Sequence, residues 1–361
     1  MVVSYWSHSV KRVAIVGTVG IPACYGGFES LVENLTKYKS EDCKYYIFCS
    51  SKHYPEKLKT HNGAELIYVP LKANGVQSIL YDIFSLWKCL FLKVDTILIL
   101  GVSGCIFLPF FRLISKSKIV TNIDGLEWKR EKWGRGVQKF LKVVRVICSK
   151  IFTCDCYPDN EAITNYVKDE YNKQSYTIAY GGDHAIRASR KDANLKQSYA
   201  LGLCRIEPEN NVELILNAFS SINEKLKFVG NWDASAYGRS LKKNYSKYDN
   251  IELINPIYDI DQLYILRDGC DKYIHGHSAG GTNPSLVEMM HFGIPIFAFD
   301  CEFNRYSTNN KAFYFKNATH LNELIRKNDC KKLDDNASYM KKYAKENYTW
   351  QIITAAYEKL Y

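Results

Sequence analysis

Residues 277–295 read His-Ser-Ala-Gly-Gly-Thr-Asn-Pro-Ser-Leu-Val-Glu-Met-Met-His-Phe-Gly-Ile-Pro, and they combine the two kinds of group that hold a phosphorylated sugar. Asn283 is a good N-cap and Pro284 a good first helical residue. The pattern predicts a short helix ending near Gly293 and a strand from Pro295 to Phe299. Unpaired N–H groups at the helix start make an anion site, and Gly280 and Gly281 let a phosphate approach the main chain. Glu288 lies one turn deeper and can accept hydrogen bonds from sugar hydroxyls. Phosphate donors beside a hydroxyl acceptor suggest a nucleotide-sugar site. An ordinary strand–loop–helix crossover fits the same residues, and that alternative stays open here.

Other residues could join such chemistry. Arg205 follows the apolar run Tyr199–Leu203, where a guanidinium suits a diphosphate and a surface salt bridge is the plainer use. Gly17-Thr-Val-Gly20 fails the dinucleotide fingerprint. Gly26 and Gly27 instead abut a helix start at Phe28, and their backbone can face phosphates or an acceptor sugar. Asp124 follows a strand, where it can bind the reacting sugar or take a proton from an incoming hydroxyl, or simply form a turn before Gly125. Glu127, Arg130 and Trp133 come next at helical spacing. Asp259-Ile-Asp261 resembles a metal-binding pair, but its place before a helix favours N-capping. His275-Gly-His277 lacks a third partner at metal spacing, so His277 is assigned a hydrogen-bonding role and no metal site is expected.

The elements that must position these groups alternate. Strands are expected at Val13–Gly17, Tyr45–Cys49, Leu66–Val69, Thr96–Leu100, Lys118–Asn122, Lys150–Asp155 and Tyr176–Ala179. Helices are expected at Phe28–Lys37, Ile79–Leu92, Ile106–Ser115, Val137–Cys148 and Glu161–Glu170. The polar stretch Gly181–Gln197, which includes Asp183, His184, Arg187, Arg190 and Lys191, reads as a linker. Alternation then resumes through Val212–Phe219, Leu226–Val229, Ser240–Ser246, Ile251–Leu253, Ile260–Asp268 and Lys272–His275. The chain ends in an amphipathic helix, Thr349–Tyr361, packing through Trp350, Ile353, Ala356 and Tyr357. Such alternation means α/β structure with parallel sheets covered on both faces. The domain boundaries so placed are 1–185, 186–345 and a terminal helix 346–361.

Composition bounds the rest. The 361 residues are 47% hydrophobic and include 27 Tyr and 17 Phe, enough for two cores and against disorder. A formal charge of +10 suits phosphorylated substrates or an anionic membrane, and no nucleic-acid-binding signature accompanies it. The 12 cysteines are spread through the chain without a secretory signal, as expected of reduced thiols in a cytoplasmic protein. No apolar run reaches the ~18 residues of a membrane span. The basic, apolar segment Phe107–Lys118 suits either a membrane surface or the core.

Three runs together carry a resemblance: Val13–Glu29 with its Tyr-Gly-Gly-Phe-Glu end, Asn122-Ile-Asp-Gly-Leu-Glu-Trp-Lys-Arg-Glu-Lys-Trp133, and His277–Pro295. They resemble the retaining glycosyltransferases of family 4, most of all the bacterial rhamnosyltransferase-type branch of O-antigen and capsule synthesis. The resemblance implies the GT-B architecture, two doubly wound Rossmann-like domains facing a cleft, with the last helix crossing back to the first domain. It implies that Gly26 and Gly27 approach the donor diphosphate and that Arg205 binds it. It also implies that Glu288 binds the nucleotide ribose. Two family features are missing. The lysine that usually follows the arginine is replaced within Glu209, Asn210 and Asn211, of which Asn211 can donate a hydrogen bond. The first of two paired glutamates is Gly280, leaving the backbone of Gly281, Thr282 and Asn283 to hold the diphosphate and sugar. Asp124 stands where many members carry histidine. Tyr25, Phe28, Glu127 and Arg130 are the acceptor-side candidates. The implied donor is a nucleoside-diphosphate sugar such as dTDP-L-rhamnose, with no separate cofactor. The implied acceptor is a saccharide on polyprenyl diphosphate at the inner membrane face. A sugar-nucleotide epimerase and a catalytically inactive nucleotide-binding protein are the alternatives.

Overall fold

The computed structural model describes residues 10–24, 26–101, 103–123, 155–172, 174–187, 198–327 and 329–361. The chain divides into two compact units. The first comprises residues 1–159, 163–178 and 350–361, and the second residues 160–162 and 179–349.

The first unit is built on strands β1 (Lys11–Val16), β2 (Cys43–Ser50), β3 (Thr60–His61), β4 (Ala64–Val69), β5 (Thr96–Leu100), β6 (Lys118–Ile123) and β7 (Asp155–Pro158). Their order is β3-β4-β2-β1-β5-β6-β7, and every pairing is parallel except β3 with β4. β5 reads Thr-Ile-Leu-Ile-Leu and is buried throughout. A near-continuous apolar run is what a central parallel strand covered on both faces requires. Helices α1 (Gly27–Tyr38), α2 (Ser78–Leu92) and α3 (Leu108–Ile114) connect strands of this sheet, and α4 (Glu161–Tyr171) follows β7. The core gathers Val16, Phe48, Tyr81, Leu86, Ile97, Ile99, Phe111 and Ile119.

The second unit carries β8 (Ala200–Leu203), β9 (Leu226–Val229), β10 (Ile251–Ile254), β11 (Lys272–His275), β12 (Ile296–Phe299) and β13 (Phe313–Phe315). All are parallel, in the order β10-β9-β8-β11-β12-β13. Its helices are α5 (Val212–Phe219), α6 (Ala236–Tyr245), α7 (Ile260–Asp268), α8 (Pro284–Phe292), α9 (Glu302–Ser307), α10 (Ala318–Lys327) and α11 (Cys330–Asn347). The core gathers Ile215, Leu216, Phe219, Phe228, Trp232, Ile274 and Phe297. The last helix, α12 (Trp350–Glu358), belongs to the first unit and packs beside α1, with Tyr357 Oη accepting from Asn122 Nδ2 at 2.8 Å.

Counted in chain order, the second sheet runs 3-2-1-4-5-6, and so does the first once the short β3 hairpin arm is set aside. That is the doubly wound order, and it creates a switch point between β1 and β5 in one unit and between β8 and β11 in the other. Ligands of such sheets bind beyond the carboxyl ends of the strands at that point.

Several expected elements differ. Tyr176–Ala179 is not a strand: Ile178 N–H donates to Pro158 O without forming a ladder. The strand expected at Lys150–Asp155 is Asp155–Pro158, in register with Val120–Ile123; residues 150–154 and the expected helix at 137–148 lie outside the described residues. Ile106–Ser115 splits into a 3-10 turn, Ser103–Phe107, and α3, because Pro109 in the first turn of α3 restarts the helix. α6 begins at Ala236, earlier than expected, because Ser235 Oγ caps it by accepting from Gly238 N–H at 3.0 Å. The expected linker begins as packed structure: Gly182 N–H donates to Tyr348 O, and Asp183–Ala185 forms a 3-10 turn. On α12, Thr354 is buried with Trp350, Ile353 and Tyr357, whereas Ala356 is only half-buried.

Candidate functional site

In the second unit the chain leaves β8 at Cys204 and Arg205, makes a 3-10 turn at Pro208–Asn210 and enters α5 through Asn211. Asn211 has φ 49°, the left-handed region that asparagine tolerates. The neighbouring β11 ends at His275 and leads through Gly276–Asn283 into α8. Side chains and main chain stitch these two loops together. Asn210 Nδ2 donates to Arg205 O at 2.7 Å, and Asn211 Nδ2 donates to Gly276 O at 2.8 Å. Ser278 N–H and Oγ both donate to Glu209 O, at 3.0 and 2.8 Å. A Cβ on Gly276 would lie 2.1 Å from Asn210 O, so glycine is what permits this approach. Arg205 and the start of α8 therefore stand at the carboxyl ends of adjacent strands, at the switch point. The Arg205 guanidinium is exposed and lies 3.6 Å from Glu207 Oε1, a surface ion pair of little strength.

The α8 start is formed as its sequence demands. Asn283 Oδ1 accepts from Ser285 N–H at 3.0 Å, Pro284 opens the helix, and Gly293 closes it with φ 68°. Ser285 Oγ also donates to Asn283 Oδ1, at 2.7 Å, and accepts from Tyr273 Oη at 3.0 Å. Behind Tyr273 lies His275, whose Nδ1 is 3.5 Å from the same phenol oxygen. Burial pushes the His275 imidazole down to about 3, so it stays neutral. His277 stacks on it, with ring centroids 4.6 Å apart and planes 11° from parallel. Gly280 has φ 120°, a conformation glycine supplies without steric cost. Thr282 is buried, and its Oγ1 accepts from Asn160 Nδ2 at 3.3 Å. Gly281 is half-buried.

Glu288 is buried one turn into α8, where Arg267 Nη2 of α7 donates to its Oε2 and His184 Nε2 lies 3.3 Å from its Oε1. Burial raises the carboxyl pKa, but Arg267 and His184 together outweigh it and hold Glu288 below the usual carboxylate range. A Cβ on Gly182 would come within 2.7 Å of Glu288 N, so the segment bearing His184 is pressed onto α8. Sequence reasoning missed Arg267, His184, Tyr273 and Ser285 as parts of this constellation. The available signal for Arg267 was an arginine that directly follows the apolar run Leu263–Leu266 in α7.

In the first unit, the loop after β1 carries the other glycines. Gly26 has φ 132° and precedes α1, and Gly27 faces open space. Glu29 folds back beneath this loop: its Oε1 accepts from Thr18 Oγ1 at 3.0 Å and Val19 N–H at 2.8 Å. Glu29, too, went unassigned in the sequence. Phe28 is half-buried, near Gly101 at the end of β5. Tyr25, Asp124, Glu127, Arg130 and both Trp128 and Trp133 lie outside the described residues. Asp259 is an N-cap, accepting from Asp261 and Gln262 N–H. Among the described residues, no group of three metal-ligating side chains comes together.

Two doubly wound α/β units in one chain are the GT-B fold of glycosyltransferases. Residues 186–347 match the family Glycosyl transferases group 1, and residues 10–183 match the family Domain of unknown function (DUF1972). Among solved structures, the chain is similar to sucrose-phosphate synthase from Thermosynechococcus elongatus. That match has 14% identity and a TM-score of 0.80, covering 97% of this chain and 98% of that one. It is also similar to Anabaena HepE in complex with UDP-glucose (13%, TM-score 0.72, covering 97% and 98%). A third is WaaG, a glycosyltransferase involved in lipopolysaccharide biosynthesis (13%, TM-score 0.71, covering 96% and 99%). No curated protein matches the chain by sequence.

Proposed function

We propose that this protein transfers a sugar from a nucleoside-diphosphate sugar to a saccharide acceptor, with retention of anomeric configuration. The observation that carries the reading is the switch point of the second unit. There Arg205 and the capped start of α8 occupy adjacent strand ends within the segment that matches Glycosyl transferases group 1. The structural neighbour HepE, seen with UDP and with UDP-glucose, supports a nucleotide sugar as donor.

As the glycosidic bond breaks, negative charge grows on the departing diphosphate. Arg205 and the N–H groups of Thr282, Asn283 and the first turn of α8 meet that charge. This cationic end needs no metal ion. Asn211 and His277 line the same approach, and Glu288 receives the ribose while anchored by Arg267 and His184. Among the described residues of this switch point we assign no carboxylate as a covalent nucleophile. A same-face transfer follows, in which the acceptor hydroxyl gives its proton to the leaving phosphate oxygen. By the family resemblance the donor is dTDP-L-rhamnose, and the acceptor rides on polyprenyl diphosphate at the cytoplasmic face of the membrane. Asp124 then contacts the reacting sugar.

The test is a panel of sugar nucleotides incubated with and without a lipid-linked or soluble saccharide, products being separated chromatographically. Donor consumption only when acceptor is present supports transfer. Isomerised donor without acceptor identifies an epimerase, and binding without turnover identifies an inactive nucleotide-binding protein. Either result overturns the proposal.

A further inference from the structure

α2 exposes a stripe at helical spacing: Leu80, Phe84, Trp87 and Phe91. The rings form a continuous line, with centroids 5.7 Å apart for Phe84–Trp87 and 5.4 Å for Trp87–Phe91. The opposite face of the same helix is in the core through Tyr81, Leu86 and Cys89, so the stripe is not a misplaced interior. α3 packs beside α2 and adds Phe110, Leu113 and Ile114. Exposure is 71% for Phe91, 84% for Leu113 and 71% for Ile114, far beyond what an isolated surface leucine needs explained.

Charge accompanies this face. Between residues 83 and 118 the cations are Lys88, Lys93, Arg112, Lys116 and Lys118, against a single acid, Asp95. Lys93 closes α2 two residues after Phe91, and Lys116 and Lys118 follow Ile114. Both helices lead into the amino-terminal ends of β5 and β6, where Lys118 N–H donates to Asp95 O and Ser117 Oγ to Val94 O. Exposed aromatic and aliphatic tips are thus followed in the chain by lysines at the ends of α2 and α3. A second copy docking face to face would set one cationic patch against another with almost no acid to offset it, because a two-fold interface uses the same patch on both copies. An anionic lipid surface meets both properties at once: headgroups take the lysines, and the rings enter the boundary of the acyl chains.

We propose that the α2–α3 face is the surface by which this protein rests on an anionic bilayer, with α2 lying in the membrane plane. It builds on the reading that the acceptor is lipid-borne and names the face that reaches it. Full-length protein floated with vesicles of phosphatidylglycerol and phosphatidylcholine should bind, and should release as salt rises. The triple variant Phe91→Ser, Leu113→Ser, Ile114→Ser should weaken partitioning on the order of 100-fold. The charge-reversed Lys93→Glu, Lys116→Glu, Lys118→Glu should do so by a similar factor at low salt. All six side chains are exposed, so melting temperature and donor affinity should hold. Absence of wild-type binding to the anionic vesicles, or unchanged binding by both variants, overturns the proposal. So does a self-association in sedimentation velocity that the serine variant abolishes while vesicle recovery stays the same. Transfer to a soluble acceptor without vesicle binding would sink this surface alone, whereas vesicle binding without any transfer would sink the enzymatic reading alone.

Discussion

The two units place the same device at the same topological position and furnish it differently. Each has a glycine loop at a switch point, a helix behind it and a buried glutamate in that helix. In the first unit Glu29 is held by Thr18 and Val19 of its own loop, and residues 17–27 contain no cation. In the second unit Glu288 is held by two basic side chains from separate segments, and Arg205 stands at the adjacent strand end. Shared topology supplies the location, and the side chains decide whether that location attracts an anion. The first loop is a locally tied shape, while the second has charged side chains from separate segments beside it.

The contrast can be broken most sharply at Arg267. Arg267→Met leaves a buried carboxylate with only His184, and urea unfolding should register a loss of about 3–5 kcal/mol. Because the pairing lowers the Glu288 pKa, its contribution is present above the ordinary carboxylate range and fades as pH falls through the depressed folded value. The loss should therefore shrink in acid.

Next come the glycines. Gly276→Ala forces the Arg205–Asn211 loop to move and should lower donor affinity on the order of 100-fold, about 3 kcal/mol. Gly17, with φ 93° and a Cβ that would fall 2.2 Å from Leu100 O, offers the matched variant. Gly17→Ala should destabilise the first unit by about 2–3 kcal/mol and leave donor affinity of the folded protein intact. If calorimetric titration gave the two equal effects on donor affinity, the assignment of the anion site to the second unit would fail.

His275 sharpens the comparison through pH. Its folded pKa is depressed to about 3, so the unfolded chain takes up a proton below about pH 6.5 that the folded protein does not. Stability is full above that value and declines as pH falls, by about 2 kcal/mol at pH 5. His275→Gln should flatten the melting-temperature difference between pH 7.5 and 5, and an unaltered slope would contradict neutral burial.

Glu29→Gln should cost less, about 1–2 kcal/mol, since only neutral donors face it. A loss as large as that of Arg267→Met would erase the distinction between the two carboxylates. The smallest effect is expected at exposed Arg205: Arg205→Ala should weaken donor binding about tenfold, with Arg205→Lys recovering part of it.

Much of this was legible along the chain. Asn283, Pro284 and Gly293 bound α8 by local rules, because capping and φ preferences act within a few residues. Asp259 capped its helix for the same reason. Apolar runs such as Thr96–Leu100 announced buried parallel strands. Where local cues competed, as at Pro109 within one apolar stretch or Ser235 ahead of another helix, boundaries moved. Tyr176–Ala179 had the composition of a strand but gained no partner ladder.

Residue order alone therefore established the alternation, the helix starts and the glycine-rich approaches, since each follows from backbone preferences expressed over one or two turns. Only the folded chain decided that the loops bearing Arg205 and Asn283 would follow adjacent strands at one switch point. It also decided that Glu288 would be charged yet buried, and that the aromatic side of α2 would face outward. These outcomes depend on which distant segments are brought into contact, and no spacing along the sequence encodes the field that Arg267 and His184 exert on a carboxylate.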